Sequence, residues 1–190
     1  MKMISPSTKR AFVAVLVVFF VSACGTVSPP RYSVNADTNM ILRGMQGASI
    51  AVVSVRDESS FDATCRLSVS IEVPDNRNIG QFIGDSFNDE FKFAGIYGGS
   101  NSMDKLSLVL NRVAFSSTAG LTKGWWDLAI TLRNTRTGKD LQASTRYSFI
   151  SGYEGSAACN QTAHALTPAV QDLIKNVVSQ KKFDSLIGSE

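Results

Sequence analysis

The chain opens on a segment that decides where everything after it folds. Lys2, Lys9 and Arg10 precede an apolar run from Ala11 to Ala23. A basic n-region, an apolar h-region and small residues before a cut site are the parts of a secretory signal. The run is too short to span a bilayer, which takes about 20 apolar residues. Export removes residues 1–23 and leaves the rest to fold where disulfides persist.

The run ends in Val21-Ser22-Ala23-Cys24, an aliphatic residue and two small ones before a cysteine. This resembles the lipobox of bacterial lipoproteins. The resemblance implies that Cys24 is thioether-linked to diacylglycerol, that the preceding peptide is cut, and that the new amino terminus is acylated. The alternative is an ordinary cleaved signal with an incidental cysteine. One acyl chain holds a protein only marginally, whereas three would be effectively permanent.

Cleavage also resets the charge. The signal holds Lys2, Lys9 and Arg10 of the 19 basic residues and none of the 16 acidic ones, so the mature chain balances 16 against 16. The precursor's pI near 8.8 is therefore no argument for nucleic acid, and no nucleic-acid partner is expected. A polybasic membrane patch is absent as well.

With Cys24 lipidated, Cys65 and Cys159 remain. Two cysteines in an exported domain most simply form one disulfide, which would close a long loop and contribute up to about 4–5 kcal/mol on the chain-entropy model. Two separate buried thiols are the other reading. These cysteines and the single histidine, His164, fall one short of a structural zinc set, so no metal and no cofactor are expected.

Residues 24 to 46 read as the lipidated N-terminus and a flexible tether, since Pro29-Pro30 and the Ser, Asn and Asp residues offer little for a core. Met40, Ile41 and Leu42 could instead begin a strand or pack on the body. Residues 47–190 read as one domain. Ala48 to Val55 is a continuous apolar strand. Cys65 to Val73 alternates, with Leu67, Val69, Ile71 and Val73 on one face. Asn78 to Ala94 predicts a helix capped by Asn78 and ended by Gly95, with Ile79, Phe82, Ile83, Phe87 and Phe91 in one stripe. Its carboxylates Asp85, Asp89 and Glu90 fall on the polar side, as a solvated face.

Three strands follow, about 106–115, 125–134 and 141–150, the last two joined by a Thr135–Lys139 hairpin loop. The final element is a helix capped by Ser156 and kinked or restarted near Pro168. The order β-β-α-β-β-β-α predicts an α+β fold, a mostly antiparallel sheet of about five strands with two helices on one face.

Several stretches together carry a second resemblance: Phe91-Lys92-Phe93-Ala94-Gly95-Ile96-Tyr97, Phe115-Ser116-Ser117, Gly124-Trp125-Trp126, Ala158-Cys159-Asn160 and Pro168-Ala169-Val170-Gln171-Asp172-Leu173-Ile174. They resemble a group of small proteobacterial lipoproteins of uncharacterised function, and the element order is similar to YajG-type and ABC-transport-auxiliary lipoproteins. The likeness covers about residues 48–187 and carries over no functional residues. In the enterobacterial sorting pattern, Gly25 after the lipidated cysteine points to the outer membrane, with the domain facing the periplasm.

Three function classes compete. The first is a non-catalytic accessory or scaffold for an envelope complex, with an envelope protein as partner. The second is a small-ligand or glycan binder. The third is an enzyme acting on cell wall or lipid. Gly-x-Ser-x-Gly and His-Glu-x-x-His do not occur, no side chain is placed to orient His164 as a triad carboxylate would, and no catalytic residue is expected. The specific handle for binding is Trp125. Strand alternation sends Trp126 inward with Leu128 and Ile130, and Trp125 outward with Asp127, Thr131 and Arg133. Trp125 could then anchor a partner or stack on a sugar, or be covered by the 116–124 loop.

Overall fold

The structure is a computed structural model that describes residues 25–66 and 69–188; the expected signal segment, Cys24 and the acylation expected there lie outside them. A four-stranded sheet forms the centre. It contains β2 (Ile50–Asp57), β5 (Asp104–Ala119), β6 (Lys123–Asn134) and β7 (Asp140–Ile150), in the order β2-β5-β6-β7. β2 runs parallel to β5, and the other pairs are antiparallel. A second, small sheet takes β1 (Gly25–Val27), β4 (Val69–Ile71) and β3 (Thr64–Cys65), in that order.

Helices cover one face of the main sheet. α2 (Ile79–Ala94) packs on β2 and α4 (Leu166–Val178) on β7, with α1 (Ala36–Arg43) in contact with both helices. α3 (Gly155–His164) lies against β5 and the small sheet, and α5 (Lys181–Leu186) closes beside β7.

The expected α+β class holds, but the layout corrects the expectation in three places. The described residues form two sheets rather than one of about five strands, because the segment after Cys65 turns at Arg66 (φ 49) and pairs with itself and with β1. The helical layer exceeds two helices. Residues 25–46 are no slack tether: Asn35 caps α1 through Asp37 and Thr38, and Leu42 is fully buried. Tertiary packing supplies what the local sequence lacks. Thr167 and Gln171 of α4 donate to the carbonyls of Pro30 (3.0 Å) and Ser33 (2.7 Å), and Lys175 pairs with Asp37 at 2.7 Å.

α2 follows from its sequence. Asn78 and Gln81 form a reciprocal capping box, and Gly95 ends the helix at φ 80. Ile79, Phe82, Ile83, Phe87 and Phe91 are at most 4% exposed. Burying each such side chain contributes roughly 1.5–3 kcal/mol. Gly84 sits where this helix comes nearest to β2, and a Cβ there would lie 2.6 Å from Val55 Cγ2. Asn88 reaches the same strand, accepting from Val52 N–H (2.8 Å) and donating to Val52 C=O (2.9 Å). The helix thus occupies backbone groups of an edge strand that would otherwise stay open to pairing.

The last helix divides as Pro168 requires. α3 ends at His164 and α4 begins at Leu166. Its cap is Glu154 rather than Ser156. The Ser156 hydroxyl (2.6 Å) and the N–H groups of Ser156 and Ala157 donate to the Glu154 carboxylate and hold its pKa down at about 2.

Candidate binding face

Alternation along β5, β6 and β7 turns Leu106, Leu108, Leu110, Trp126, Leu128, Ile130, Leu132 and Leu141 toward the helices. The opposite face carries half-buried and exposed residues throughout. One irregularity shapes it. A β-bulge falls between Leu110 and Arg112, so Asn111 and Arg112 are both exposed, and Val113 instead of Arg112 turns to the core.

The bulge aims Arg112 along the open face. Its Nε and Nη2 donate to Asp127 Oδ1 at 3.1 and 2.8 Å. Arg146, opposite Asp127 in the register, stands 3.9 Å from Asp127 Oδ2. Its guanidinium carbon also lies 4.2 Å from the centroid of the Trp125 ring, within cation–π range. Trp125, Arg146, Asp127 and Arg112 therefore form one continuous patch across β6, β7 and β5. Farther along, the Thr131 hydroxyl donates to Asn111 at 2.9 Å.

Trp126 takes the other side of the strand. It is fully buried, its indole N–H donates to Thr162 C=O at 2.8 Å, and Phe115 and Phe61 pack on it at 4.9 and 6.0 Å. Gly124 before them is buried because Phe149 from β7 lies across it; a Cβ at Gly124 would be 2.3 Å from that ring. Trp125 is half-buried, and Arg146 stacks on its ring.

The other candidates lie elsewhere. Cys65 and Cys159 form a disulfide with 94 residues between them in sequence, and both are buried. It staples the small sheet to α3. His164 is exposed in the last turn of α3. Among the described residues no cluster of three or more metal-ligating side chains occurs.

Glu90 is not on a solvated face: it is fully buried, unlike Asp85. Its Oε1 accepts from the Tyr32 hydroxyl (2.6 Å) and Asn35 N–H (2.7 Å), and its Oε2 has no hydrogen-bond partner. Burial raises its pKa above the usual carboxylate value, although the two hydrogen bonds oppose the shift. Burial and the adjacent carboxylate raise Tyr32 in turn. No helical period could reveal this role, because the segment that buries Glu90 lies more than 50 residues away in sequence.

No family model matches the chain, and no curated protein does. Some solved structures are similar to it at low scores. A chain from Caulobacter crescentus CB15 assigned as a lipoprotein is 12% identical over 82% of this chain and 98% of its own, with a TM-score of 0.41. A PelC dodecamer from Paraburkholderia phytofirmans is 14% identical over 82% and 95%, with a TM-score of 0.38. A lipoprotein from Neisseria meningitidis is 15% identical over 66% and 99%, with a TM-score of 0.27. At these scores the likenesses assign no function to this chain.

Proposed function

We propose that this protein is an exported lipoprotein anchored through Cys24, at the outer membrane and facing the periplasm. It acts there as a non-catalytic accessory or scaffold for an envelope complex. The address rests on the signal segment and the Val21–Cys24 motif. The binding role rests on one observation: the sheet face away from the helices carries the Trp125–Arg146–Asp127–Arg112 patch, half-buried to exposed. Aromatic and arginine side chains together are the composition of protein-interface hot spots.

A glycan-binding reading is favoured less. Sugar stacking needs a bare ring face, and Arg146 already lies over one face of Trp125. Membrane capture with crosslinking tests the proposal. A discrete envelope protein lost on Trp125→Ala supports it, whereas glycan fragments or turnover of wall material would replace it. Cys24→Ala tests the anchor separately: lipid labelling should vanish and unprocessed precursor accumulate. Normal processing and membrane partition in that variant would rule the anchor out.

A further inference from the structure

The body begins at once after the anchor position. Gly25 pairs with Val69, which also pairs with Cys65. A lipid on Cys24 would therefore leave almost no slack, and the end of the domain carrying Gly25 would sit at the bilayer.

That end can be traced through the structure. Next to Cys65, the Arg66 guanidinium donates to Ser117 Oγ (3.1 Å) and Ser117 C=O (3.0 Å). The same carbonyl accepts from the Ser151 hydroxyl at 2.7 Å, and Ser151 N–H donates to Thr122 C=O at 2.8 Å. Gly25 thus shares an end of the molecule with the β5–β6 hairpin tip and the segment leaving β7. Three of the largest exposed apolar side chains stand there: Leu121 (71% exposed), Ile150 (81%) and Tyr153 (78%).

Leu121 is costly as well as exposed. Its φ is 67°, and Thr122 N–H donates to Gly120 C=O across it at 2.8 Å, the bond of a classic γ-turn. That turn is rare and strained, and left-handed backbone favours Gly or Asn over Leu. Neither packing nor conformation explains a leucine at this position. A ligand for its side chain would.

We propose that Leu121, Ile150 and Tyr153 form a membrane-docking end that enters the interfacial layer of the bilayer carrying the Cys24 lipid. The proposal rests on the anchor reading above. It also orients the domain. The opposite end, where β5 starts and β6 meets β7, points away from the membrane, and the open sheet face stands beside the bilayer within reach of a partner. The other exposed rings, Phe93 and Tyr97, already have cations over them, Arg43 at 5.8 Å and Lys92 at 5.2 Å.

The test uses the full acylated chain in phosphatidylethanolamine–phosphatidylglycerol vesicles. An environment-sensitive fluorophore is placed on Ile150→Cys, and on Met103→Cys as control. Met103 is 62% exposed at the far end of the 16-residue β5. Blue-shifted emission quenched by doxyl-lipid at position 150, with neither at 103, is the expected result. Equal quenching at both positions overturns the docking end. A blue shift at 150 without lipid quenching also overturns it, because a protein would then cover the patch. Palmitate labelling read in parallel separates the two claims: an unlabelled chain fails the anchor and the docking end together, and a labelled chain without quenching fails the docking end alone. In a second variant, Leu121→Asn should leave the melting temperature unchanged or raised while weakening quenching at position 150. Unchanged quenching there would remove Leu121 from the docking end.

Discussion

Arg146 of β7 lays its guanidinium 4.2 Å over the ring of Trp125 on β6 while its charge faces Asp127. The stack holds an aromatic ring and two arginines on a face the core does not use. At a half-exposed site, such a contact contributes about 0.5–1 kcal/mol. Trp125→Ala should therefore destabilise the fold by no more than about 1–2 kcal/mol. As a hot spot it should cost partner capture about 2 kcal/mol or more. Denaturant melts and crosslinked capture measure the two. A stable Trp125→Ala variant that captures its partner unchanged would remove this face from the function.

Trp126 should behave oppositely. It is fully buried among aromatic rings, so Trp126→Ala should cost roughly 3–5 kcal/mol through the cavity it leaves. Trp126→Phe keeps most of the ring but leaves the Thr162 carbonyl without its donor, for about 1–3 kcal/mol. Equal melts for the Trp125 and Trp126 alanine variants would contradict the strand register.

Gly84→Ala should destabilise, against the usual gain of about 1 kcal/mol for replacing glycine within a helix. The added methyl would meet Val55 Cγ2 at 2.6 Å, and overpacking of this kind costs roughly 1–3 kcal/mol. Val55→Ala in the same chain should recover part of the loss. A double-mutant cycle measures that coupling, and a purely additive result would mean that the helix and strand do not touch there.

The Cys65–Cys159 bond joins α3 to strands of two and three residues, too short to be stable alone. Paired alanine substitutions should lower stability by about 2–5 kcal/mol. Mass spectrometry of non-reduced peptides from periplasmic material should find the linkage. Two free thiols would refute it.

Glu90 makes stability depend on pH in the direction opposite to most carboxylates. Its folded pKa is raised above the ordinary 4.5, chiefly by burial, so folding favours the protonated form. The contribution is fully present below that ordinary value and is lost as pH rises through the raised folded value. Glu90→Gln retains an acceptor for Tyr32 and Asn35 and cannot ionise. Its melting temperature should fall less than that of the unmodified protein as pH rises from 4 toward neutral, about the range over which a raised carboxyl ionises. Parallel melting curves would show that the carboxylate is solvated.

Legibility tracked how local each cause was. The phenylalanine stripe of α2, its Asn78 cap and Gly95 stop all depend on residues within a few turns. The inward Trp126 follows from strand period alone, as does the split of the last helix at Pro168 from proline's missing N–H. The bulge at Asn111–Arg112 left no such mark, because the alternation restarts one residue later with equally plausible residues. Asp89 and Glu90 are neighbours of the same charge type, yet only Glu90 is buried, by Tyr32 and Asn35 arriving from the N-terminal segment. Strand period also turns Trp125 away from the helices, but Arg146 stacks on it only because β7 pairs with β6 in this register.

By itself the sequence determined the α+β class, most element positions and which faces of α2 and β6 turn inward, and it carries the signal-like segment and the lipobox-like Cys24 on which the proposed anchor rests. These depend on charge order, spacing and backbone periods that neighbouring residues set. Tertiary structure decided the parallel seat of β2 beside β5, the second sheet and the burial of Glu90. It also packed residues 25–46 onto the body and brought Leu121, Ile150 and Tyr153 to the end where Gly25 emerges. Each of these joins residues far apart in sequence, and chain closure and packing rather than local propensity select such contacts.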